Sequence, residues 1–94
     1  MSKNFVRAEI IVGGLVQGVG FRYFVYSRAD GMGLQGFVKN LFTGEVYTVV
    51  EGEKFLIEDL FEKLKTGPRS AHVRNSSISW TEPKNEFKRF EIRH

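Results

Sequence analysis

Hydrophobic and polar positions alternate at the start of the chain and then change period. Val6, Ala8, Ile10 and Val12 recur every second residue, with Arg7, Glu9 and Ile11 between them, which predicts a strand with one buried face. From Phe21 the spacing turns helical: Phe21, Phe24, Val25, Ala29 and Met32 share one side, and Arg22, Tyr23, Ser27 and Asp30 the other. Gly33 is a natural stop, and Gly31 just before it weakens the last turn. Two strands follow, Gly36–Phe42 and Glu45–Gly52, joined through Thr43-Gly44 as an antiparallel hairpin. Glu53–Lys65 is the clearest helix. Ile57, Leu60, Phe61 and Leu64 form its apolar stripe, Glu53 stands in the first turn, and Lys63 and Lys65 in the last, before Gly67-Pro68 ends it. After a polar loop, Ile78 and Trp80 alternate with Ser77, Ser79 and Thr81 as another strand, and a short one closes the chain near Phe90.

The order βαββαβ, with a short extra C-terminal strand, predicts an α+β fold of two layers. Both helices cover one face of an antiparallel sheet, the ferredoxin-like sandwich. That fold hosts many unrelated functions, so function has to come from a site.

Composition narrows the field. The 94 residues suit a single domain, residues 1–94, and the 41% hydrophobic and 27% charged fractions are those of a globular protein. Nine phenylalanines are expected to serve mainly in core packing. Without cysteine there is no disulfide, thiolate nucleophile or cysteine metal site. His72 and His94 lie far apart, one in a loop and one at the end, with no neighbouring partner for metal or base duty. The first residues lack the apolar core of a signal peptide, and no run reaches the ~20 apolar residues of a membrane span. A cytoplasmic protein is expected. Fourteen basic against eleven acidic residues give +3, a mild bias toward anions with the charges too scattered for a nucleic-acid footprint.

Chemistry concentrates where the first strand hands over to the first helix, in Val16-Gln-Gly-Val-Gly-Phe-Arg22. Glycines permit positive φ and expose backbone N–H groups, and a helix N-terminus adds partial positive charge. Arg22 falls in the first helical turn, where the macrodipole favours acids. Two readings stand: a tight turn with a surface arginine, or a phosphate or carboxylate site in which an anion resolves that conflict. The misplaced cation favours the second. The run fits neither the nucleotide P-loop pattern nor the dinucleotide fingerprint, since Gly18 and Gly20 lack a third glycine. Asn40, at the end of the second strand, could hold a water through its amide, although position alone favours local backbone bonding. Lys39 and Gln17 read as a solvated strand residue and a loop residue.

Taken together, these motifs resemble the acylphosphatase family. The resemblance rests on Gly14-Leu-Val-Gln-Gly-Val-Gly-Phe-Arg22 and Gly33-Leu-Gln-Gly-Phe-Val-Lys-Asn40, then Gly44 with Val46, Glu51-Gly52, Gly67-Pro68 and Phe90-Glu-Ile-Arg93, and so spans nearly the whole chain. It implies a small hydrolase, free of metal and cofactor, that splits acyl phosphates into a carboxylate and inorganic phosphate. Arg22 and the loop amides of Val16, Gln17, Gly18, Val19, Gly20 and Phe21 would bind the phosphate, and Asn40 would position the attacking water. Inorganic phosphate would be product and inhibitor, the enzyme a monomer, and neither nucleic acid nor membrane a partner. Phe37 replaces the family's usual tryptophan, and Leu41 and Phe42 replace residues often polar or small, which alters the pocket rim. The competing readings are an RNA-binding module of the same topology and a non-catalytic anion-binding domain. Against the first, the Gln35–Phe42 stretch falls on the second strand and lacks a leading basic residue and interleaved aromatics.

Overall fold

A computed structural model of the chain describes residues 4–94; Met1–Lys3, the start of the expected single domain, lie outside the described residues. The elements run β1 (Phe5–Leu15), α1 (Phe21–Gly31), β2 (Gln35–Asn40), β3 (Val46–Glu53), α2 (Lys54–Thr66), β4 (His72–Thr81) and β5 (Phe90–Ile92). The sheet order is β4-β1-β3-β2-β5. β1 pairs antiparallel with β3 and β4, and β2 antiparallel with β3, giving the expected ferredoxin-like sheet. β5 departs from the all-antiparallel expectation by pairing parallel with β2. It does so because the chain crosses the sheet between its two edge strands and re-enters in the direction of β2.

Both helices cover one face. Phe21, Val25 and Ala29 of α1 and Ile57, Leu60 and Leu64 of α2 join Ala8, Ile10, Val12, Val38, Val46 and Val50 in one core. α1 ends as its glycines suggest: Leu34 N–H donates to the Ala29 carbonyl and Gly33 N–H to that of Asp30, with Gly33 left-handed at φ 73°. These bonds close the last turn over Gly31, which stays helical. Glu53 proves to be the N-cap of α2 and not part of its first turn.

The second face is not open, as strand alternation alone would have it. Residues 82–89 run across it as a strap. Arg7, read from the sequence as a polar-face residue, is buried beneath that strap. Its guanidinium donates to Glu51 at 3.0 Å and to Glu86 at 2.8 Å, and lies 5.3 Å from the Phe87 ring. Glu51 also accepts from the backbone N–H groups of Lys84 and Asn85. Burial disfavours the Arg7 charge, but the hydrogen bonds and charges of Glu86 and Glu51 more than offset that and leave its pKa raised. Phe37 packs in the same layer, edge-on to Tyr47 and Phe87.

Three further expectations are corrected. β2 stops at Asn40, because Phe42-Thr43-Gly44 form a three-residue hairpin loop: Leu41 N–H donates to Glu45, Gly44 N–H donates to Leu41, and Gly44 has φ 95°. β4 begins at His72, which places that residue on a strand. Of the nine phenylalanines, Phe21 and Phe90 are buried, whereas Phe42 and Phe55 are exposed. Among the described residues, no helix is long and apolar enough to cross a membrane.

Candidate active site

β1, β2 and β5 point the same way, so their C-terminal ends meet at one end of the sheet. The ends of these strands deliver the loop after Leu15, the side chain of Asn40, and Arg93–His94.

The loop is shaped by what precedes and anchors it. The β1–β4 register slips between Gly13 and Gly14, leaving one extra residue, Arg74, on β4. Gly14 sits there at φ 125°, where any side chain would run into the His72 carbonyl. Val16 and Phe21 are then buried and Val19 packs against the core, which pins the loop through its apolar side chains. Gly18 and Gly20 take left-handed φ values of 76° and 77° with open space where side chains would stand. Gly20 is the N-cap of α1, and no acid occupies the first turn. The N–H groups of Gly18 through Tyr23 donate to no backbone carbonyl among the described residues. A cluster of unused amides at a helix N-terminus attracts an anion.

Arg22 follows on the first turn of α1. Its Nη1 donates to the Arg93 carbonyl at 3.1 Å and lies 3.2 Å from Nδ1 of His94, which accepts when the imidazole proton is on Nε2. Arg93 is itself held, its N–H on the Val38 carbonyl at 2.8 Å and its guanidinium over Phe37 at 3.9 Å. No carboxylate pairs with Arg22 among the described residues. Across the same depression stands Asn40. Its Oδ1 is the one buried side-chain nitrogen or oxygen among the described residues that lacks a hydrogen-bond partner. Position before a turn predicts a local backbone bond for that oxygen, and none forms. A buried acceptor left unpaired costs roughly 1–3 kcal/mol, so it marks a place where a donor is expected to arrive.

The depression has a volume of about 290 Å³ and is lined by Gly18, Gly20, Arg22, Tyr23, Asn40 and His94, with Val16, Phe21 and Ile92 beneath. The residues singled out from the sequence, Val16 to Phe21, Arg22 and Asn40, thus converge at one end of the sheet. Gln17 and Val19 are not among the residues that line this depression. Two side-chain contributions were missed. Gln17 is not a plain loop residue: its Nε2 donates to the carbonyls of Leu41 at 2.8 Å and Glu45 at 2.9 Å, tying the glycine loop to the β2–β3 hairpin. His94, given no role from the sequence, borders the site beside Arg22. Neither contact leaves a local signal, since the partners are 24, 28 and 72 residues away. Lys39, a strand residue as expected, borders an adjoining groove. Among the described residues, no group of three His, Cys, Asp or Glu side chains is placed to hold a metal ion.

Comparison with known proteins agrees with this fold. The acylphosphatase family model matches residues 8–92. An acylphosphatase from Moorella thermoacetica is 40% identical over 83 residues, covering 88% of this chain and 89% of that protein. One from Caldanaerobacter subterraneus subsp. tengcongensis is 44% identical over 79 residues, covering 84% and 88%. The crystal structure of acylphosphatase from Bacillus subtilis superposes with a TM-score of 0.91 at 37% identity, covering 95% of this chain and 99% of that one. With the family model matching residues 8–92 and relatives similar along almost its full length, the chain belongs to the acylphosphatase family, hydrolases that act on the acid anhydride of a carboxylate and phosphate.

Proposed function

We propose that Arg22 and the amides of Val16 to Phe21 bind the phosphate of an acyl phosphate and that Asn40 orients the water that attacks it. The convergence of an arginine without a carboxylate, unused amides and the unpartnered Asn40 Oδ1 on one depression supports this assignment. Oδ1 would accept a hydrogen bond from the water and turn one oxygen lone pair toward phosphorus.

The chemistry asks little more of the protein. The leaving carboxylate has a pKa of about 4–5, near that of a glutamate side chain, so it departs unprotonated and a general acid adds little. Charge in the transition state spreads over the equatorial phosphoryl oxygens, and positioning with electrostatic stabilisation provides most of the catalysis. The planar guanidinium fork and the amide cradle suit those oxygens. The proton of the attacking water passes to a phosphate oxygen of the substrate; besides Arg22, the titratable side chains that line the depression among the described residues are the Tyr23 phenol and the His94 imidazole. A pH–rate profile that bends on an enzyme group near neutrality, and is lost in His94→Ala, would replace this step with catalysis by His94.

The enzyme in this reading is a cytoplasmic monomer acting on small acyl phosphates without metal, nucleic acid or membrane. The direct test is hydrolysis of benzoyl phosphate in excess chelator, with inorganic phosphate as competitive inhibitor. Turnover that survives chelation and is inhibited by phosphate is the expected result; absence of turnover, or its loss on chelation, contradicts the proposal.

A further inference from the structure

In an in-line displacement the attacking and leaving oxygens lie on opposite sides of phosphorus. If Asn40 holds the water, the acyl group leaves toward the end of the depression remote from Asn40. The lining residues separate those that Asn40's groove includes from those it does not. Asn40 and His94 border both the phosphate depression and a second groove, which continues past them between Gln17, Lys39 and Phe42. Asn40 therefore stands at the junction. Tyr23 borders the first depression, together with Gly18 and Gly20, and not the groove that Asn40 shares.

Tyr23 is suited to meet an acyl group there. It lies one residue beyond Arg22 on the first turn of α1, a rigid support, yet the residue is 66% exposed. Its ring stands 6.1 Å from that of Tyr26, which gives it a neighbour while leaving much of it uncovered. Beside it, Gly18 and Gly20 present only backbone, with no atom within 4 Å of where their side chains would be. The amides bind phosphate, the glycines leave room, and Tyr23 is the large ring that borders that room. A solitary exposed aromatic is ordinary on a protein surface. What separates Tyr23 from the more exposed Phe42 is that it borders the phosphate depression, whereas Phe42 borders only the groove beyond Asn40.

We infer that Tyr23 is the acyl-group contact of this enzyme, its ring packing against the acyl portion and favouring aromatic or extended apolar acyl phosphates over acetyl-sized ones. The inference rests on the roles proposed for Arg22 and Asn40. Its test compares kcat/KM for benzoyl and acetyl phosphate, with the inhibition constant of inorganic phosphate, in the wild type, Tyr23→Ala, Tyr23→Phe and Phe42→Ala. Tyr23→Ala should lower the benzoyl-to-acetyl ratio roughly three- to tenfold, the range of an aromatic contact. Tyr23→Phe keeps the ring and Phe42→Ala lies in the groove beyond Asn40, so both should keep the ratio. Phosphate inhibition should be the same in all four proteins. An unchanged ratio in Tyr23→Ala, a fall in Phe42→Ala instead, or equal loss of both substrates together with phosphate inhibition overturns the inference. A wild type that hydrolyses neither substrate fails at the catalytic roles themselves, and is distinguished by that from a failure at Tyr23 alone.

Discussion

Each end of the sheet holds an arginine, and the two are treated in opposite ways. Arg7, near the start of β1, is buried under the strap and answered by two carboxylates, with Glu51 in turn saturated by backbone N–H groups. Arg22, beyond the end of β1, has a carbonyl and a ring nitrogen but, among the described residues, no carboxylate, and it follows amides that donate to no backbone carbonyl among those residues. A buried charge must find its counter-charge within the fold or cost several kcal/mol. Arg7 shows the fold supplying it. Arg22, only partly buried, has no such partner among the described residues, and an anion from outside would complete it together with the neighbouring amides.

The sharpest way to break this comparison is to exchange the consequences of losing each arginine's interactions. Arg22→Ala should lower kcat/KM for benzoyl phosphate by roughly 10³ or more and abolish phosphate inhibition, while leaving the melting temperature nearly unchanged. Arg22→Lys should recover little, because a point charge cannot reproduce the planar fork. If Arg22→Ala retained phosphate inhibition, the cradle would have to be assigned to the amides alone. Glu51→Gln should do the converse. Removing one partner of a buried pair costs about 3 kcal/mol, which lowers the melting temperature of a chain this size by more than about 10 °C. Turnover per folded molecule should change only a few-fold at low temperature. A large loss of kcat without loss of stability would mean that the strap reaches the site through β5 and Arg93.

The same contrast shows which features are legible in a sequence. The alternation of Val6 to Val12 and the helical stripe of Ile57 to Leu64 are local patterns, and they place the core and both helices correctly. The glycine loop and Arg22 are legible because a cation in a first helical turn conflicts with the macrodipole, a conflict visible within seven residues. Arg7 gives no such warning. Its alternation with apolar neighbours is that of any half-buried strand, and its burial depends on a strap 79 residues away at Glu86. Phe42 misleads for a related reason: an apolar residue after Asn40 extends the strand pattern, while Gly44 two positions on closes the loop around it. Asn40 lies between these cases. Its position is plain from the motif, but that its Oδ1 is buried and unpaired emerges only when the strand ends are assembled.

Asn40 supplies the next test. Asn40→Ala should reduce kcat roughly 10²-fold with phosphate inhibition nearly intact, since it removes an interaction with the nucleophile and not with the bound anion. Retained kcat with lost phosphate inhibition would reassign Asn40 to the cradle. Because the variant also removes an unpartnered buried oxygen, its stability should be unchanged or slightly increased. That gives the site a signature opposite to the one expected of Glu51.

The smallest effect concerns the link between the two halves of the site. Gln17 holds the glycine loop to the hairpin beginning at Leu41, next to Asn40, through two hydrogen bonds from one side-chain nitrogen. Gln17→Ala keeps its backbone amide, so phosphate inhibition should be nearly unchanged, while a less well placed Asn40 should lower kcat about three- to tenfold. Gln17→Glu should be worse, because a carboxylate would face the two carbonyls that now accept from Nε2. Gln17→Asn would not rescue, its amide being one methylene short. A Gln17→Ala variant that loses stability with no change in kcat would reduce the tether to a structural bond and leave Asn40 positioned by β2 alone.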